Sequence, residues 1–233
     1  LISILIIFLV VFFDNQISIS SIKLSFISFS INLGILSIFF TIICMMLFIN
    51  ALNMFDGING QSGSYCLILA SYLILNGSVS NHIFGIILIT LIFFLIWNLR
   101  EKIFLGDSGT LSLGFLFSYF FIYSYNKGSI INADSIYIIM FLPGLDLMRL
   151  YIQRIYKGIS PFKPDRNHIH HYFLKEYGYR KTLFFLIIFI LTPIILDILI
   201  EKTLLINLIT LFIYLYLIIV KFKNNFNSTY ESQ

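Results

Sequence analysis

Charge is scarce in this chain. Of 233 residues only 11% are Asp, Glu, Lys or Arg, while 59% are hydrophobic and 18% aromatic. Mean hydropathy is +0.94. An ordinary soluble domain carries about a quarter of its residues charged. This shortage excludes a disordered chain, a collagen-like fibre and a typical soluble enzyme, because no soluble fold of this size hides so much apolar surface. A bilayer does. Cysteine is nearly absent too: Cys44 and Cys66 both lie in apolar stretches and give no disulfide framework. A P-loop string is missing, which excludes an ATP-driven pump of that kind. Residues 1–13 are apolar but lack the basic start and small-residue cleavage site of a signal peptide. They read as the tail of a membrane helix whose beginning is missing, so the chain is expected to be N-terminally incomplete.

What is there is a series of uncharged runs. Residues 24–55, 57–99 (His82 apart), 108–126 and 203–220 carry no charge. Runs of about 18 or more such residues read as transmembrane helices. Spans are expected near 34–50, 64–78, 82–98, 110–125, 132–149, 182–200 and 203–220. The expected fold is an all-α polytopic membrane protein, a bundle of about 8–9 transmembrane helices with cytoplasmic catalytic loops, forming one domain over 1–233. Eight of the fifteen basic residues fall in 149–181. By the positive-inside rule the basic, histidine-containing loop 150–181 is then cytoplasmic. Counting spans puts 51–63 and 99–109 on the same side. Asp14 does not fit this count. It shares a side with Asp56 only if an even number of crossings separates them, and 22–50 is too short for two full spans. A shallow hairpin of two short helices, a deletion, or Asp14 on the wrong face would each account for this.

Three polar islands interrupt the expected cytoplasmic side. In the first, Asn53, Asp56 and Asn59 recur every three residues, which on a continuing helix places their oxygens on one face, suited to a hard cation such as Mg2+. Gly57 lets a ligand approach the backbone. A plain helix C-cap and turn explains these residues equally well. The second island holds Asp107 at the start of a membrane helix, where a carboxylate is favoured by the dipole and free N–H groups can receive phosphate oxygens. Asp107 or Ser108 as a simple N-cap is the alternative. The third holds Lys163, Arg166, His168, His170 and His171, a cationic cluster suited to a diphosphate; a solvated basic loop near anionic headgroups is its alternative. Asp146 and Arg149, at i and i+3, read as a structural ion pair rather than as catalytic groups. Pro143-Gly144 reads as a kink.

The strings NALNMFDGING (50–60), IFLGDSGTLSLG (103–114) and SPFKPDRNHIHH (160–171) resemble the signatures of the polyprenyl-phosphate N-acetylhexosamine-1-phosphate transferases. The third resembles the undecaprenyl-phosphate GlcNAc-1-phosphate transferase branch. The resemblance implies that a UDP-N-acetylhexosamine and undecaprenyl phosphate give undecaprenyl-diphospho-sugar and UMP, with Mg2+ or Mn2+, at the start of O-antigen, common-antigen or teichoic-acid-type synthesis. It implies a multi-pass protein of the bacterial inner (cytoplasmic) membrane with its site on the cytoplasmic face. Its partners would be the two substrates, the bilayer and a second copy in a homodimer, with no nucleic acid. Carried over, Asp107 and Asp56 match metal-binding and catalytic acids, with Asp14 as a third catalytic acid. Asn53, Gly57 and Asn59 match positions around nucleotide and metal, Asn98 and Phe104 resemble uridine-pocket positions, and Lys163, Arg166, His168, His170 and His171 match the sugar-phosphate loop.

Two departures stand out. The family's Asp-Asp-x-x-Asp-like string has its nearest match in Asp14–Ser18, where one carboxylate is lost to Asn15 or Phe13, and the last acid of the first loop is Asn59. An amide offers an oxygen without charge, which weakens Mg2+ binding. A truncated or inactive relative is therefore the second reading. A small transporter is the third, opposed by the gathering of acids and histidines at one surface rather than at mid-bilayer.

Overall fold

The computed structural model describes residues 2–77, 81–161 and 167–221. Among them the architecture is almost all helical: α1 (Ile2–Phe13), α2 (Ser37–Met54), α3 (Gln61–Leu75), α4 (Asn81–Asn98), α5 (Gly106–Asn126), α6 (Ala133–Tyr156), α7 (Ile169–Tyr177), α8 (Tyr179–Ile200) and α9 (Thr203–Tyr216). Two residue pairs, β1 (Ser21–Ile22) and β2 (Ile31–Asn32), form a small antiparallel hairpin between α1 and α2. The uncharged runs have become apolar helices, two of them, α3 and α4, within 57–99, because a backbone in lipid must satisfy its polar groups internally.

Among the described residues three helical segments are both long and apolar enough to cross a membrane: Gly34–Met54, Ala133–Tyr156 and Tyr179–Ile200. Those over Ser3–Phe13, Gln61–Leu75, His82–Asn98 and Thr203–Ile219 are apolar but shorter. The expected all-α, membrane-type architecture is present, with α7 as a short amphipathic helix not foreseen in the sequence. Pro143 lies inside α6 without ending it.

The helices share one core, in which Leu52, Tyr65, Leu69, Leu73, Phe117, Phe121, Leu142 and Leu186 interlock. A second cluster joins α1 and the hairpin to α2 and α5 through Ile7, Val11, Ile17, Met45, Ile49 and Ile122. The outer faces are also apolar: Phe39, Ile86, Phe93, Phe184, Leu199 and Phe212 are all exposed. Contiguous apolar surface of this extent suits hydrocarbon as solvent. α2 and α5 approach at backbone distance, so that a Cβ on Gly114 would stand 2.9 Å from the Ile49 Cα.

Polar contacts concentrate at two rims. At one, Lys23 N–H donates to the Tyr125 hydroxyl and Ser25 binds the Asp134 carboxylate, tying the hairpin to the α5–α6 junction. At the other lie the end of α2, the start of α3, the end of α4, the start of α5, the end of α6, and α7. A single helix, α2, separates Asp14 from Asp56.

Gly114→Ala is expected to cost roughly 1–3 kcal/mol by forcing α2 and α5 apart. Thermal unfolding in detergent would show it as a lowered Tm, with Gly85→Ala, which meets nothing within 4 Å, as the matched control.

Candidate active site

The first island begins where α2 ends. Phe55 caps the helix, so Asn53 is on its last turn while Asp56 and Asn59 lie in the turn beyond. The expectation of one continuous helical face is therefore corrected. Gly60 caps α3 at φ +80° and sits so tightly that a Cβ there would lie 2.6 Å from Leu99 and 3.1 Å from Leu183. Its N–H donates to Asn98 Oδ1 at 2.6 Å, and Asn98 Nδ2 donates to the Ile103 carbonyl at 2.8 Å. Asn98 is only 5% exposed. Its amide staples the first loop to the 99–105 turn. Tyr179, opening α8, donates to the Asn59 carbonyl at 2.9 Å and braces the loop from the other side.

The second island meets the first directly. Asn53 Nδ2 donates to Asp107 Oδ1 at 3.1 Å and to Thr110 Oγ1 at 2.8 Å. Thr110, unmarked by the sequence reading, is buried and bonds back to the Gly106 and Asp107 carbonyls. Asp107 stands in the first turn of α5, beside unpaired N–H groups and the positive end of the dipole. Asp56 and Asp107 are close enough to sense one another. Burial raises the Asp56 carboxyl above its ordinary 3.8, and the Asp107 charge raises it further against an opposing Ser62 hydroxyl. A cation bound between Asp56 and Asp107 would offset that repulsion. Among the described residues no group of three or more His, Cys, Asp or Glu gathers to hold a metal. Mg2+ commonly takes one or two carboxylates and completes its shell with water and substrate phosphate, and Asp56 and Asp107 would be the residues to hold it.

The third island closes over the first. The His170 ring packs on Gly57 so closely that a Cβ there would fall 1.9 Å from His170 Nε2. His170 is 1% exposed, and Gln61 Nε2 lies 3.5 Å from its Nδ1. Burial, then the neighbouring His171 and His168, push its pKa down to about 3. His168 stacks parallel to it, with ring centres 5.3 Å apart, and His171 lies 4.3 Å from the His170 centre. Buried polar atoms without a hydrogen-bond partner remain here, Gln61 Oε1 and His170 Nε2. Phe104 is 69% exposed on the turn before α5. Lys163 and Arg166 lie outside the described residues.

Asp14 is not part of this site. Its Oδ2 accepts from Tyr119 at 2.6 Å. Tyr119 is 12 residues along α5 from Asp107, about 18 Å at helical rise. One helix crossing, an odd number, separates Asp14 from Asp56, so of the accounts left open the wrong-face one holds. The match of 14–18 to the family's aspartate string is thereby withdrawn.

Two predictions follow from these environments. An acid with a raised value is destabilising when ionised, and that cost is relieved as pH falls below it. Asp56→Asn should therefore raise Tm in metal-free buffer by roughly 1–3 °C and abolish any Mg2+-induced rise seen in the parent. For His170 the sign is opposite. Its depressed pKa lets neutral imidazole stabilise fully above about 6.5, a contribution lost as pH falls towards 3. The drop in Tm between about pH 7.5 and about pH 5 should be smaller in His170→Gln than in the parent.

The chain is similar to known proteins over much of its length. The family model described as glycosyl transferase family 4 matches residues 1–125. Undecaprenyl-phosphate alpha-N-acetylglucosaminyl 1-phosphate transferase of Escherichia coli K12 is 31% identical over 172 residues, covering 69% of this chain and 47% of its own length. The protein of the same name from Thermotoga maritima is 32% identical over 155 residues, covering 64% of this chain and 47% of its own. That from Yersinia pestis is 34% identical over 139 residues, covering 54% and 38%. The chain spans about half the length of the curated relatives it matches. With more than half of its residues matched by the family model, the chain belongs to glycosyl transferase family 4.

Proposed function

We propose that this chain transfers an N-acetylhexosamine-1-phosphate from a UDP-sugar to undecaprenyl phosphate on the cytoplasmic face of a bacterial inner membrane, in a multi-pass bundle. The new bond joins a lipid-phosphate oxygen to the sugar-bearing phosphorus. The bond from that phosphorus to the bridging oxygen of the UDP-sugar's diphosphate breaks, and UMP departs with that oxygen and the electron pair. The observation that carries this reading is the convergence of Asn53, Asp56 and Asp107 with His170 at one rim. The names of the relatives supply the substrate classes.

The residues divide the work. Asp56 and Asp107 would hold Mg2+, with Asn53 orienting the Asp107 carboxylate. Bound there, the ion would screen the diphosphate's negative charge. Gly57 leaves room for the His170 ring to close over the first loop, and the α5 N-terminus offers N–H groups to phosphate oxygens. His168, His170 and His171 would meet the sugar-phosphate, the part that the family resemblance also gives to Lys163 and Arg166. Exposed Phe104 offers a ring face on which a base can stack. Initiation of cell-surface polysaccharide follows from such a product.

A second reading, a non-catalytic relative, is favoured by one observation: with Asp14 at the opposite rim, no third carboxylate joins Asp56 and Asp107 among the described residues.

Membranes carrying the full chain should convert radiolabelled UDP-GlcNAc, or another UDP-N-acetylhexosamine, into butanol-extractable lipid only when Mg2+ or Mn2+ is present. Asp107→Asn should lower the rate at least about 100-fold. Absence of product, under conditions where a complete relative is active, establishes the non-catalytic reading instead.

A further inference from the structure

The ion pair of Asp146 and Arg149 does more than hold α6 together. Asp146 is 3% exposed, on the last turns of α6. Its Oδ1 accepts from Arg149 Nη2 at 2.7 Å and from the Tyr214 hydroxyl at 3.1 Å. The Ile169 backbone N–H lies 3.3 Å from both oxygens. His168 Nδ1 stands 3.0 Å from Oδ2. The direction of every proton here is fixed by elimination. A guanidinium and a backbone N–H only donate. Tyr214 already accepts from Arg149 Nε at 3.0 Å, so its own proton points to Asp146. Asp146 therefore accepts from all sides, and His168 Nδ1 must donate to it.

We propose that Asp146, anchored by Arg149 and Tyr214, is a positioning residue that fixes His168 with its proton on Nδ1 and leaves Nε2 as the nitrogen offered to substrate. In neutral imidazole a proton on Nδ1 makes Nε2 an acceptor, and the partner of one nitrogen sets the role of the other. Arg149 balances the Asp146 charge, so the buried group carries no net charge with a neutral ring. The backbone is held as well as the ring. Arg149 Nη2 donates to the Asn167 carbonyl at 2.6 Å, and Ile169 N–H binds Asp146, so both neighbours of His168 are tied to α6. The fixed ring then lies parallel to His170, within 9°, and His170 rests on Gly57 beside Asp56. Asp146 thus sets the tilt of the histidine stack through one hydrogen bond, and α9 contributes through Tyr214. What His168 acts on rests on the transferase reading; its protonation pattern does not.

The test uses the full chain in nanodiscs with 15N-labelled histidine. The four histidines are assigned through single His→Gln variants. In the parent, His168 should show a protonated Nδ1 and an unprotonated Nε2. Asp146→Asn places an amide N–H where the acceptor stood and should move the proton to Nε2. In the transferase assay that variant should lose about 10- to 100-fold in kcat with KM within about threefold, and Asp146→Glu should recover part of the loss. A parent His168 protonated on Nε2 alone overturns the proposal whether or not Asp146→Asn folds. So does an active parent whose Asp146→Asn variant keeps full kcat. An inactive parent with His168 protonated on Nδ1 sustains it and defeats the transferase reading alone.

Discussion

A polar side chain in a bundle solvated by hydrocarbon has few places to go: the helix ends, or a partner inside. That constraint organises this molecule. The apolar lengths of α2, α5, α6 and α8 force their polar residues to the rims, and at one rim the ends of α2 and α5 meet through Asn53, Asp107 and Thr110. Everything at the candidate site is hung from that contact. It exists because Gly114 allows α5 to lie against α2 at backbone distance. A wider separation would carry Asp107 away from Asn53 and leave Asp56 without its neighbour. The site is thus a product of helix packing more than of loop conformation.

The remaining pieces brace the first loop from three directions. Asn98 holds Gly60 from α4, Tyr179 holds the Asn59 carbonyl from α8, and His170 covers Gly57 from α7. These contacts explain why three glycines stand so near one another at 57, 60 and 63: each marks a place where another element comes within van der Waals distance. Rigidity suits the chemistry. The proposed phosphoryl transfer would ask for positioned charge more than for reactive groups, and a site whose carboxylates are pre-placed would lose little in reorganising them.

Much of this was readable from residues alone. Uncharged runs delimited most helices because lipid tolerates no alternative, and the three islands were visible as polar breaks in those runs. The short α7 escaped notice because its nine residues, IHHYFLKEY, have too few apolar positions to stand out beside the spans. Asp14 misled because a carboxylate at a helix end carries no label of side; only the crossing of α2 supplied one. The bonds of Asn98 to Gly60 and Ile103 were not legible, since an amide that binds backbone looks in sequence like one that binds a ligand. Asp146 was seen with its neighbour Arg149 but not with His168 or Tyr214, 22 and 68 positions away. Separations of that kind leave no periodic trace.

The basic, histidine-bearing stretch after α6 has the composition of a self-contained surface module, yet it has no interior of its own. Its helix α7 buries Ile169, Tyr172 and Phe173 against the membrane helices, and its histidine entry is pinned from within α6 and α9. An excised peptide of this stretch would keep its charge and lose its shape. Whatever affinity such a fragment showed for phosphates would report electrostatics alone, without the selectivity that the intact bundle imposes.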